Sequence, residues 1–87
     1  MSADRNAILD TVKRNLADIL EIDASTINED SKFTDDLGAD SIALIELVDA
    51  LEQEFTATIP GFAFDDDDLV GLLTVRDAVD YVARAHG

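Results

Sequence analysis

The 87-residue sequence has no cysteine and no tryptophan, one proline and one tyrosine, and only 6 Lys or Arg against 20 Asp or Glu, for a formal charge of −14. Without cysteine the chain has no disulfide framework, no thiolate metal site and no thiol nucleophile of its own. The shortage of basic residues argues against nucleic acid and anionic membranes as partners, because both carry the same sign of charge as the chain. A basic protein surface fits better. No run of about 18 apolar residues occurs, so no membrane span is expected, and the start Met1-Ser2-Ala3-Asp4-Arg5-Asn6 lacks the cationic and apolar segments of a secretory signal. A cytoplasmic protein is the expectation. At this length a single domain over residues 1–87 is expected. Large net charge on a small chain is a signature of disorder, but 47% of the residues are hydrophobic, enough to build a core.

The apolar residues fall at helical spacing in three places. Ile8, Leu9, Val12, Leu16, Ile19 and Leu20 share one face of a helix over Asp4–Leu20, with Ser2 or Asp4 as cap and Lys13 and Arg14 toward solvent. A polar loop of about 18 residues comes next, from Ile22 to Ala39, pinned by Ile27, Phe33 and Leu37; its length predicts a short helical turn inside it or a functional role. A second helix over Ser41–Phe55 buries Leu44, Leu47, Val48, Leu51 and Phe55, while Ile42, Glu46, Asp49 and Gln53 lie opposite, flanked by Ser41, Ile45 and Glu52. Two isoleucines among carboxylates read either as a contact surface or as cover for a neighbouring loop. After Ile59-Pro60-Gly61, a short helix is expected to start at Asp65–Asp68, with Leu69, Val70, Leu72 and Leu73 packed inward. Thr74-Val75-Arg76-Asp77 has the spacing of a capping box and opens a last helix in which Val75, Ala78, Val79 and Val82 face inward. The fold class is therefore all-α, with three long helices, one short one and a long first loop.

Position 41 carries the chemistry. Leu37-Gly38-Ala39-Asp40-Ser41-Ile42 sets a serine just after a glycine turn and in the first turn of an amphipathic helix, with Asp40 as N-cap and Gly38 free to take a backbone conformation that other residues resist. A phosphate on that hydroxyl would lie beside unpaired backbone N–H groups and the positive end of the helix dipole. An Asp-Ser pair at a helix start is also an ordinary cap. The residues on its C-terminal side decide between the two: with Glu46-Leu47-Val48, Ala50-Leu51-Glu52-Gln53-Glu54-Phe55, Ile59-Pro60 and Thr74-Val75, the motif resembles the acyl carrier protein family over almost the whole chain.

That resemblance implies a four-helix bundle and a free-standing, monomeric carrier without catalytic activity. It implies that Ser41 takes 4'-phosphopantetheine from coenzyme A, with Asp40 and Gly38 shaping the turn. By the same resemblance Ile42, Ile45, Glu46, Asp49 and Glu52 would meet basic and apolar patches on the phosphopantetheinyl transferase, acyltransferase, ketosynthase and related synthase enzymes. The charge pattern agrees: from Phe33 to Val75 there are eleven Asp or Glu and no Lys or Arg. Ala43 departs from the acidic or polar residue of many relatives, and the Pro60–Thr74 segment is longer than in compact fatty-acid carriers, which favours a polyketide or other dedicated pathway over fatty-acid synthesis.

Rival chemistries lack their residues. An EF-hand loop starting at Asp35 puts Glu46 at its twelfth position, but Leu37 and Ala39 fall where oxygen ligands belong and Asp40 where glycine belongs; a start at Asp65 fails at Leu69 and Val70. No metal site is expected. A serine hydrolase is disfavoured because the second glycine of a nucleophile elbow is missing and the only histidine, His86, is next to the C-terminus. A peptidyl or aminoacyl carrier would usually have Gly-His or a similar pair where Ala39-Asp40 stand. An acidic helical interaction domain without a prosthetic group is the remaining alternative.

Overall fold

The computed structural model describes residues 5–57, 59–64, 67 and 70–86. Three α-helices account for most of them: α1 (Arg5–Leu20), α2 (Ser41–Phe55) and α3 (Val75–His86). One isolated antiparallel bridge, Lys32 with Thr74, is the only β pairing among the described residues. The architecture is all-helical as expected, but the count of four helices is not reached among the described residues. Asp67 and Val70 are helical, whereas Asp65, Asp66, Asp68 and Leu69, where the short helix was expected, lie outside the described residues. So do Ser2 and Asp4, the expected caps of α1.

Helix α1 packs against both α2 and α3, and its Ile8, Val12 and Leu16 are fully buried, with Leu9, Ile19 and Leu20 at the margin. It ends in a Schellman turn. Glu21 takes φ of 55° and the Ile22 N–H reaches back to the Ala17 carbonyl at 3.1 Å, satisfying one of the last helical acceptors. On α2, Leu47, Val48, Leu51 and Phe55 are buried and Leu44 is half-buried, as the period required. Burial of a leucine such as Leu51 is worth roughly 1.5–3 kcal/mol.

The long first loop is organised by its own polar residues. A 3₁₀ turn over Ala24–Thr26 supplies the expected helical turn. The Asn28 side chain accepts from the Asp30 N–H at 2.9 Å, the buried Ser31 hydroxyl accepts from the Asn28 N–H at 3.1 Å, and the Asp36 carboxylate accepts from the Lys32 N–H at 2.7 Å. Ile27 and Phe33 are buried and Leu37 is half-buried. The loop is stitched to the start of α3: the Phe33 N–H donates to the Leu73 carbonyl, the Val75 N–H to the Ser31 carbonyl and the Arg76 N–H to the Glu29 carbonyl, all within 3.0 Å. Arg5 adds a fork to Glu29 (2.7 Å) and Asp80 (2.6 Å), and Arg76 pairs with Asp30 at 2.8 Å. Asp80 and then Glu29 hold the Arg5 guanidinium above its ordinary pKa, although exposure keeps the pairs weak.

The capping box at α3 forms as the sequence requires. The Thr74 hydroxyl accepts from the Asp77 N–H at 3.3 Å, and the Asp77 carboxylate accepts from the N–H groups of Thr74 and Leu73 at 3.0 Å each. One expectation fails just before it. Leu72 is buried, but Val70 and Leu73 are 81% and 66% exposed. The reason at Leu73 is local pairing: the chain here runs alongside the first loop in β fashion, so neighbouring side chains point to opposite sides. Inward-facing Leu72 then leaves Leu73 outward.

No Cα of α2 lies within 8 Å of a Cα of α3. A strap over residues 59–64 fills the space between them. Phe62 is buried with its ring edge-on to Phe55 of α2 at 6.0 Å and tilted against Tyr81 of α3 at 6.0 Å. Phe64 stacks on Tyr81 at 4.4 Å, and the Tyr81 hydroxyl donates to the Ala63 carbonyl at 2.9 Å.

Candidate functional site

The start of α2 is held from both sides. Upstream, Ala39 is buried and its N–H donates to the Phe33 carbonyl at 2.7 Å, so the turn before the helix is anchored in the core. Gly38 sits at φ of 69°, a conformation that costs other L-residues about 1–2 kcal/mol. A Cβ at Gly38 would meet nothing within 4 Å, so the glycine is needed for its backbone angle and not for space. Downstream, Asp40 is an extended N-cap (φ −91°, ψ −176°) whose carboxylate accepts from the Ala43 N–H at 2.9 Å and whose carbonyl accepts from the Leu44 N–H at 3.0 Å.

These bonds decide what is left for a ligand. A helix begins with four N–H groups that its own carbonyls cannot reach. Asp40 takes up the Ala43 donor, while the N–H groups of Ser41 and Ile42 have no acceptor among the described residues. Ser41 is the first helical residue and is exposed. Its hydroxyl thus stands in water beside two free donors at the positive end of a 15-residue helix, an arrangement suited to a phosphate ester. The residues present fit the group that the motif implied.

Beyond Ser41, positions 42, 45, 46 and 49 follow one another at helical steps along the outward face of α2. Ile42 is 67% and Ile45 51% exposed, and Glu46 and Asp49 are exposed beside them. The reading in which the two isoleucines cover a neighbouring loop is overturned. Glu52 stands apart from this group. It is half-buried, and its carboxylate accepts from the Phe64 N–H at 2.7 Å, tying α2 to the strap.

A family model described as the phosphopantetheine attachment site matches residues 10–82. The chain belongs to the acyl carrier protein family. It is 38% identical over 81 residues to an acyl carrier protein of Solidesulfovibrio magneticus, covering 93% of this chain and 97% of that protein. It is 40% identical over 78 residues to one from Nitratidesulfovibrio vulgaris, covering 90% of this chain and 96% of that protein. It is 44% identical over 78 residues to one from Sinorhizobium fredii, covering 90% and 94%. This acyl carrier is therefore a carrier and not a catalyst, and its prosthetic group is 4'-phosphopantetheine.

Two features of the carrier escaped the reading of its sequence. Ala39 had no role assigned from the sequence, yet it anchors the turn; an apolar residue inside a polar loop was the available signal. The link from Glu52 to Phe64 had no local signal, because it spans twelve residues and depends on the path of the strap.

Proposed function

We propose that Ser41 is the attachment residue of this carrier and that residues 1–87 form one monomeric carrier domain. The observation that supports the assignment is the exposed Ser41 hydroxyl beside the unclaimed N–H groups of Ser41 and Ile42. Asp40 fixes the helix start while leaving those donors open, and Gly38 lets the chain turn so that position 41 faces outward. When bound, the prosthetic group supplies the thiol on which acyl chains ride as thioesters. The chain has no cysteine to compete with it.

The docking face is Ile42, Ile45, Glu46 and Asp49, with Glu52 at its border. Its chemistry fits a partner with basic residues around an apolar patch, in which the charges set encounter rate and orientation and the isoleucines supply buried area. Such partners are the phosphopantetheinyl transferase, the acyltransferase and the ketosynthase of a cytoplasmic fatty-acid or polyketide pathway, with the longer Pro60–Thr74 segment favouring a dedicated polyketide-type route. Among the described residues no helix is long and apolar enough to cross a membrane. Loading from coenzyme A by a transferase, followed by intact mass, tests the proposal. The Glu46→Lys, Asp49→Lys variant is expected to load at least about tenfold more slowly at low salt with its helical circular dichroism unchanged. Equal loading rates would refute the docking face.

A further inference from the structure

We propose that the strap over residues 59–64 is a latch held by Glu52, and that a partner's basic group arriving at α2 undoes it. This rests on the docking face proposed above. Contacts from both helices hold the strap. On the α2 side the Glu52 carboxylate takes the Phe64 N–H at 2.7 Å. On the α3 side Phe64 stacks on Tyr81 at 4.4 Å and the Tyr81 hydroxyl holds the Ala63 carbonyl at 2.9 Å. Phe62 is wedged between, touching Phe55, Phe64 and Tyr81. Phe62 thus bridges α2 and α3.

Glu52 lies one helical step beyond Asp49, at the border of the exposed acidic face. Its carboxylate is part-buried rather than enclosed, so an arriving Lys or Arg can reach it. A cation adds the attraction of a second full charge, which the bond to the neutral Phe64 N–H lacks. A basic partner therefore draws the carboxylate outward, and the Phe64 N–H loses its acceptor. The outer end of the strap is then held only by α3, through the stack of Phe64 on Tyr81 and the Tyr81 bond to Ala63, and can move away from α2. Docking at one edge of α2 is in this way transmitted to the space between two helices.

The chain offers an internal reporter, since Tyr81 is its only tyrosine and there is no tryptophan. In the whole chain, Glu52→Ala is expected to raise amide exchange at Phe64 by about tenfold or more and to move Tyr81 fluorescence toward that of free tyrosine. Glu52→Gln keeps a carbonyl acceptor and is expected to stay close to wild type in both. Unchanged Phe64 protection in Glu52→Ala would overturn the latch. For the coupling, a phosphopantetheinyl transferase without coenzyme A is titrated into the wild-type chain, and loss of Phe64 protection is the expected result. If the α2 amides shift while Phe64 stays protected, the coupling is wrong and the docking face stands. If the α2 amides do not shift at all, the docking face fails and the coupling with it.

Discussion

Asp40 does two things with one side chain. It ends the turn that Gly38 begins, and by satisfying Ala43 it leaves the Ser41 and Ile42 donors for an anion. An N-cap aspartate is worth about 1 kcal/mol over alanine, which for a chain of this size corresponds to a melting temperature lower by roughly 4–8 °C. Asp40→Ala is expected to show that loss in a thermal melt and Asp40→Asn, which still caps, is expected to recover most of it. An Asp40→Ala melt equal to wild type would mean that the cap contributes nothing. Gly38, Asp40 and Ser41 were legible in the sequence because helix starts have local rules that a short window contains. Val70 and Leu73 were misread because an apolar run says nothing about its period until the segment is known to be helical or paired.

At the scale of elements, all three helices were readable, since each has a strong apolar period and α2 and α3 have caps visible in the sequence. The path of the loops was not, because it depends on long-range pairs such as Phe33 with Leu73 and Glu52 with Phe64. The end of α1 carries a residue that works against its own conformation. Glu21 occupies the left-handed position where glycine is preferred, and places a negative charge at the negative end of the helix dipole. Glu21→Gly is expected to stabilise the carrier by about 0.5–1 kcal/mol. A lower denaturation midpoint for that variant would contradict the strain assigned to Glu21.

The whole molecule carries a charge of −14, and of its 6 bases Arg5 and Arg76 fasten the first loop to the helices. The stretch from Phe33 to Val75 is left without one base of its own. Self-repulsion on this scale destabilises a compact chain, and ions screen it within about 10 Å at 0.1 M salt. Magnesium or sodium chloride is therefore expected to raise the melting temperature, by several degrees for each ~1 kcal/mol recovered. A melting temperature that stays flat as magnesium is added would show that repulsion is not limiting.

The absence of bases between Phe33 and Val75 also makes the attachment residue easy to locate. Trypsin should release Phe33–Arg76 as one peptide, and Ser41 is the only serine in it. After incubation of the carrier with coenzyme A, magnesium and a phosphopantetheinyl transferase, mass mapping is expected to find a single phosphopantetheinyl group on that peptide, and none anywhere in Ser41→Ala. A modification on the peptide holding Ser25 and Ser31, or one that survives in Ser41→Ala, would contradict the assignment of Ser41.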